Sequence, residues 1–366
     1  MTAQQWGSGG WSNRPPAYGP TPQPGMATYA PQAFGRPPMG AGFGGAQPGL
    51  PQYGPAPQMP GPPRRNPLRT VLLGMIGLCL LAIAGLVITN LATGAGSEVS
   101  YQNDNFKVPP PDTSPPPIPQ PKTEAEAEAF LTANPFYDQT TPAPVRCNSR
   151  PINVATASDK QLAAHFDGLM ECLIRVWQPP VTKAGFQIVR PSVTIYGDEI
   201  TTKCGTSDVN AFYCSADQQV YFSNQLPKYV TIVAEDKWAA DVVMAHEFGH
   251  ALQGRTGILI SSAALGQLSG EKSTELLFSR RSETQADCFS GMFMRSVSVS
   301  LGIQQSDVAG ILATYKAVGD DTLTGNPKVE ASHGLARSRV YWGNTGLGTS
   351  DVGKCNTFSA PASQVR

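Results

Sequence analysis

With 27 basic and 27 acidic side chains in 366 residues, the chain has no net charge to present to a polyanion, which argues against nucleic acid as its partner. The length allows one or two domains, but 34 prolines and 37 glycines are unevenly spread, so a packed core is expected in only part of it. Only four histidines are present, so any histidine motif carries weight.

Residues 1–63 are dominated by Pro, Gly, Ala and Gln, with Trp6, Trp11, Tyr18, Tyr29 and Phe43 scattered among them, and no acidic residue precedes Glu98. So few aliphatic side chains cannot bury a core, and a disordered cytoplasmic tail is expected. Aromatic self-association is the weaker alternative to a plain flexible tail. Residues 64–92 read as a basic flank, Arg64, Arg65 and Arg69, followed by an uncharged apolar run over 70–91. Such a run makes a helix of about 30 Å, enough to span a bilayer's hydrocarbon core. The arginines precede it, which places the amino terminus in the cytoplasm and the rest outside, on a single-pass anchor in the cell membrane. A cleaved signal peptide competes, since Ala92, Gly94, Ala95 and Gly96 follow the run. The late start and the length of the run favour an uncleaved anchor.

Residues 93–122 form a Pro-rich linker, expected to be extended and to hold residues 123–366 off the lipid surface. A short helix opens at Thr123-Glu124-Ala125-Glu126 and stops near Asn134-Pro135. Ser158 caps a helix through Leu162, Phe166, Leu169, Met170, Leu173 and Val176, halted by Pro179-Pro180. Residues 187–189, 192–196 and 219–222 read as strands, and 306–317 and the stretch after His333 as helices. The fold class is therefore α+β. Cys79 falls in the apolar run, as a small apolar side chain or an acylation site. Cys147, Cys172, Cys204, Cys214, Cys288 and Cys355 all follow it, an even number where disulfides are permitted. Fifteen pairings are possible. The preferred set is Cys147–Cys172, Cys204–Cys214 and Cys288–Cys355, the second resting on its short loop. No C-x-x-C pair suggests zinc held by thiolates.

The chemistry concentrates at His246-Glu247-Phe248-Gly249-His250, an H-E-x-x-H pattern in an apolar helical run that Glu235 or Asp236 could start and Gly254 could stop. Two histidines four residues apart share a helical face and can bind one metal ion, with Glu247 beside them to take a proton from its water. A catalytic zinc needs a third protein ligand and an open fourth position. Glu283 is the candidate ligand. Asp287, one turn later, is placed to accept a hydrogen bond from a ligating histidine. By themselves these two acids would read as a solvated face paired with Arg280 and Arg281. Their place downstream of H-E-x-x-H, among Leu276, Leu277, Phe278, Phe289 and Met292, favours the ligand reading. His165 reads as structural. His333 either donates to a developing oxyanion or caps local structure.

Over residues 147–358 the chain resembles the bacterial neutral zinc metallopeptidases, relatives of the H-E-x-x-H zincins. The resemblance is carried by residues 246–250, by Glu283-Thr284-Gln285-Ala286-Asp287-Cys288, by Phe212-Tyr213-Cys214-Ser215-Ala216-Asp217-Gln218, and by Ser332-His333-Gly334 with Arg337 following. It implies a zincin-like fold, one Zn²⁺ on His246, His250 and Glu283, and Glu247 as catalytic base. The expected activity is hydrolysis of peptide bonds in a peptide or protein substrate outside the cytoplasm. His333 or Tyr221 would share the oxyanion charge, and residues 219–222 would serve as an edge strand for the substrate. Two alternatives remain: a non-catalytic zinc-containing cell-envelope binding or scaffold protein, and a zinc amidase acting on a cell-wall amide.

Overall fold

The computed structural model describes residues 99–366. The expected tail and transmembrane helix lie outside the described residues; among those described, no helix is long and apolar enough to cross a membrane. The described part is mixed helix and sheet, with helices in the majority.

Helix α1, Glu124–Thr132, begins where the Thr123 hydroxyl accepts from the Glu126 amide. Helix α2, Asp159–Lys183, opens with a capping box between Ser158 and Gln161. It does not stop at Pro179-Pro180 as expected. Pro179 cannot donate to the carbonyl of Arg175 four residues back, but Asn103 Nδ2 donates to that carbonyl at 2.8 Å. With the acceptor satisfied from outside, the helix continues and buries Pro180 and Val181.

Strands β1 (Val193–Tyr196), β4 (Ala211–Cys214) and β5 (Gln219–Ser223) form a sheet in the order β1-β5-β4, with β1 parallel and β4 antiparallel to β5. Strand β5 is therefore central and buried along its whole length, not the edge strand expected from its sequence. Its backbone groups are taken on both sides, so β4 is the edge next to the helices. Residues 187–189 form no strand; the Gln187 carbonyl instead accepts from Arg255 Nε at 2.9 Å. A small hairpin of β2 (Ile200–Thr202) and β3 (Gly205–Ser207) completes the strands. It is too short and polar to show as an alternating pattern.

Two single-turn helices, α3 (Leu226–Tyr229) and α4 (Ile232–Glu235), lead into α5, Ala239–Arg255. The expected start at Glu235 or Asp236 is replaced by a break, where Asp236 accepts from the Trp238 amide at 2.8 Å. The stop is not Gly254 but Gly257, which takes φ +77°. Helix α6, Ile258–Leu268, returns to α7, Lys272–Leu301. Beyond it lie α8 (Val308–Ala317), α9 (Asp320–Thr324) and α10 (Ala336–Leu347). Helices α5 and α7 cross where a Cβ on Gly249 would come within 3.0 Å of Ala286, so the glycine of H-E-F-G-H sets how closely the two site-bearing helices approach. Helix α10 presses as closely on α7 at Gly343 and Gly346, beside the Gly291 backbone. Phe136, Trp177 and Phe289 meet edge-on or tilted in the core.

The six cysteines among the described residues stand at bonding distance in three pairs, Cys147 with Cys172, Cys204 with Cys214, and Cys288 with Cys355. The Pro-rich stretch, expected as a free-standing linker, is from Val99 onward a strap bound to the domain. Asp112 donates its amide to the Arg190 carbonyl, and Pro109, Pro116 and Pro117 carbonyls accept from buried arginines. Prolines offer acceptors without donors, and buried guanidinium groups need acceptors.

Candidate metal centre

Helix α5 presents His246 and His250 one turn apart, and α7 brings Glu283 against both. His246 Nε2 lies 3.2 Å from His250 Nε2 and 3.2 Å from Glu283 Oε2, and His250 Nε2 lies 3.5 Å from Glu283 Oε1. One donor atom from each residue falls in a cluster within 4.8 Å. Tetrahedral zinc bonds of about 2.0–2.1 Å place neighbouring donors about 3.3 Å apart, so this donor set fits the ion in kind and in spacing.

The ring nitrogens facing away from the corner fix which nitrogens face in. His246 Nδ1 stands 2.8 Å from Asp287 Oδ1, and Asp287 also takes Arg339 Nε at 2.9 Å and an Arg339 terminal nitrogen at 2.8 Å. An ionised carboxylate only accepts, so Nδ1 carries the proton and Nε2 turns its lone pair to the site. His250 is set the same way through an amide. Gln253 Nε2 donates to the Ser282 carbonyl at 2.7 Å, so its Oε1 accepts from His250 Nδ1 at 2.9 Å. Gln285, hydrogen-bonded to Gln253, donates in turn to Tyr137 and the Cys355 carbonyl.

The corner is built to hold positive charge. Burial opposes charge on His246, yet Asp287 and Glu283 prevail and carry the ring up to about 10, so a metal ion would take the place of the Nε2 proton. Burial also works to raise Glu283, but the charges of His250 and His333 hold it well below the usual carboxylate range. Glu247 moves the other way, raised chiefly by burial despite the two histidines and the Tyr213 amide that donates to Oε2 at 2.9 Å. That amide belongs to edge strand β4. His333 is anchored by Asp320, which accepts from its backbone amide at 2.9 Å and faces its Nδ1 at 3.2 Å. Its side chain stays 45% exposed.

His246, His250, Glu283, Glu247 and Asp287 are thus gathered in one place, with His333 close enough for its charge to act on Glu283. Tyr221 is engaged elsewhere, donating its hydroxyl to Asp217 at 2.8 Å on the central strand. Arg337, noted beside His333, is exposed; Arg339 is the arginine that reaches the site. His165 is buried against Asp241 and Ser149. Sequence reading missed Arg339, Gln253, Asp320 and the Tyr213 amide. Arg339 shares a face of α10 with buried Trp342 and Gly346, and a charge on such a face demands a partner. Gln253 follows His250 by three residues on the same helical face.

The constellation is a candidate metal centre: His246, His250 and Glu283 could each offer a ligand atom to one ion, and Glu247 lies alongside. The family described as "Putative neutral zinc metallopeptidase" matches residues 137–358, and the chain belongs to it. Among its relatives, "Uncharacterized protein Rv2575" of Mycobacterium tuberculosis is 31% identical over 209 residues, covering 50% of this chain and 67% of the relative. "Uncharacterized protein YpfJ" of Escherichia coli K12 is 30% identical over 191 residues, covering 50% of this chain and 66% of the relative. No solved structure matches.

Proposed function

We propose that the protein is a membrane-anchored, extracytoplasmic zinc metallopeptidase with a zincin-like fold, holding one Zn²⁺ per chain on His246, His250 and Glu283. The observation that carries this reading is the set of 3.2, 3.2 and 3.5 Å separations among His246 Nε2, His250 Nε2 and the two Glu283 carboxylate oxygens, with both histidine Nδ1 atoms turned away to other acceptors. Zinc, when bound, supplies Lewis acidity that brings the pKa of water from 15.7 to about 7. Glu247 is the base: buried and raised, it accepts the proton of the attacking water and returns it to the leaving amine. Asp287, fixed by Arg339, orients His246, and Gln253 orients His250. His333, oriented by Asp320, donates toward the developing oxyanion. Edge strand β4, not β5, is where an extended peptide would align, because its outward amide at Tyr213 already faces Glu247. Three cysteine pairs support an oxidising compartment, and the apolar run over residues 70–91 supports the anchor.

The test is a peptide library beside cell-wall fragments, given to the detergent-solubilised chain with and without chelator. Chelator-sensitive cleavage of peptides, lost in Glu247→Gln with zinc retained, is the expected result. Cleavage confined to cell-wall amides, or none at all, would overturn the peptidase reading.

A further inference from the structure

The segment 212–218 stands out in the sequence, yet apart from the Tyr213 amide the catalytic reading leaves it without a task. In the structure its end is a clamp for the Pro-rich strap. Gln218, 8% exposed, donates from Nε2 to the Pro116 carbonyl at 2.8 Å, and Arg255, 5% exposed, donates to the same carbonyl at 2.8 Å. Arg255 is held by Gln218 Oε1 at 3.2 Å and the Gln187 carbonyl at 2.9 Å, while Gln219 Nε2 donates to the Asp112 carbonyl at 3.0 Å. Buried donors thus meet the acceptors of a segment that has few donors of its own.

This clamp lies next to the metal corner. The strip of α5 running Val243, His246, His250, Gly254 follows the helical repeat, and of these four Val243 and His250 are half-buried. Gly254 continues that strip about 6 Å beyond His250 and is buried, because Tyr213 and Ile118 close over it. A Cβ at Gly254 would sit 3.4 Å from the Tyr213 hydroxyl and 3.9 Å from Ile118 Cγ2. The strap therefore covers the strip one turn past a ligating histidine.

We infer that the strap is the end wall of the substrate groove, with Ile118, which closes over Gly254 together with Tyr213, limiting how far a peptide extends on the His250 side. Gln218 and Arg255 act as positioning residues that hold this wall through Pro116. The inference rests on the peptidase reading. It concerns length selection on one side of the scissile bond, and it leaves the chemistry of cleavage untouched.

The experiment uses the full chain in detergent and two sets of quenched-fluorescent peptides, built on one cleaved core and lengthened residue by residue on either side. Wild type should lose kcat/KM past a given length on one side only. Ile118→Gly should restore the longest peptide of that set by about tenfold, leaving the other set and the shortest peptide unchanged. Gln218→Met, which removes one of the two donors to Pro116 and a partner of the other without touching Ile118, should shift the same side in the same direction. Unchanged melting temperature and zinc content establish that both variants are folded. The same length profile in wild type and both folded variants, with cleavage intact, overturns the inference. Failure of every form to cleave any peptide overturns the peptidase reading, and this inference with it.

Discussion

Two histidines in this protein lean on a buried aspartate, in two different regions. His246 meets Asp287 at 2.8 Å between α5 and α7; His165 meets Asp241 at 2.7 Å between α2 and α5. The pairs differ in what lies beyond each ring and each carboxylate. The second nitrogen of His246 faces His250 and Glu283, whereas that of His165 faces the Ser149 hydroxyl at 3.2 Å. Asp287 is gripped by two Arg339 nitrogens, whereas Asp241 Oδ2 has no partner among the described residues. A histidine–aspartate pair is thus a bracket in both places. It becomes part of a candidate metal centre only where the ring's other nitrogen joins further potential ligands.

The sharpest separation of the two regions should come from Glu247→Gln. It is expected to lower turnover by about 10²–10⁴-fold while zinc, measured by plasma mass spectrometry, stays bound. Arg339→Met comes next: it leaves buried Asp287 with His246 as its remaining partner and without its guanidinium, a loss of about 3–5 kcal/mol in urea unfolding. A variant as stable as wild type would mean the arginine is not the partner of that charge. The direct comparison is Asp287→Asn against Asp241→Asn. The first should weaken zinc affinity or activity by about 10–100-fold in competition with a chromophoric chelator, and the second should leave both unchanged. Equal effects would erase the distinction drawn between the pairs.

The smallest effect is one of pH. Burial raises Asp241 above its ordinary 3.8, so the folded state holds that proton more tightly than the unfolded state. Its contribution to stability is therefore present in acid and is lost as pH rises from about 3.8 through the raised folded value. Asp241→Asn should remove that slope from the wild-type minus variant difference; a slope of opposite sign would mean the carboxylate is stabilised instead.

How much of this was readable from the sequence follows the same division. His246, Glu247 and His250 are legible because one helical turn fixes their relation, and Glu283 and Asp287 because they repeat the spacing on a second helix. What joins the two helices is not local. Arg339 lies 52 residues from Asp287, and the crossing at Gly249 and Ala286 exists only in the folded chain. Strand order is likewise absent from sequence, so β5 read as an edge although β1 and β4 flank it. Pro179-Pro180 misled for a related reason, since Asn103, 72 residues from Arg175, satisfies the carbonyl that Pro179 leaves open. The strap read as a spacer because its composition does not reveal the buried donors that bind it.

The most direct test of the convergence of His246, His250 and Glu283 is the zinc stoichiometry of Glu283→Ala beside wild type, both folded by circular dichroism. The prediction is one ion per wild-type chain and a clear fall in the variant. Undiminished zinc in the variant would remove that carboxylate from the ion and contradict the arrangement on which the proposed chemistry stands.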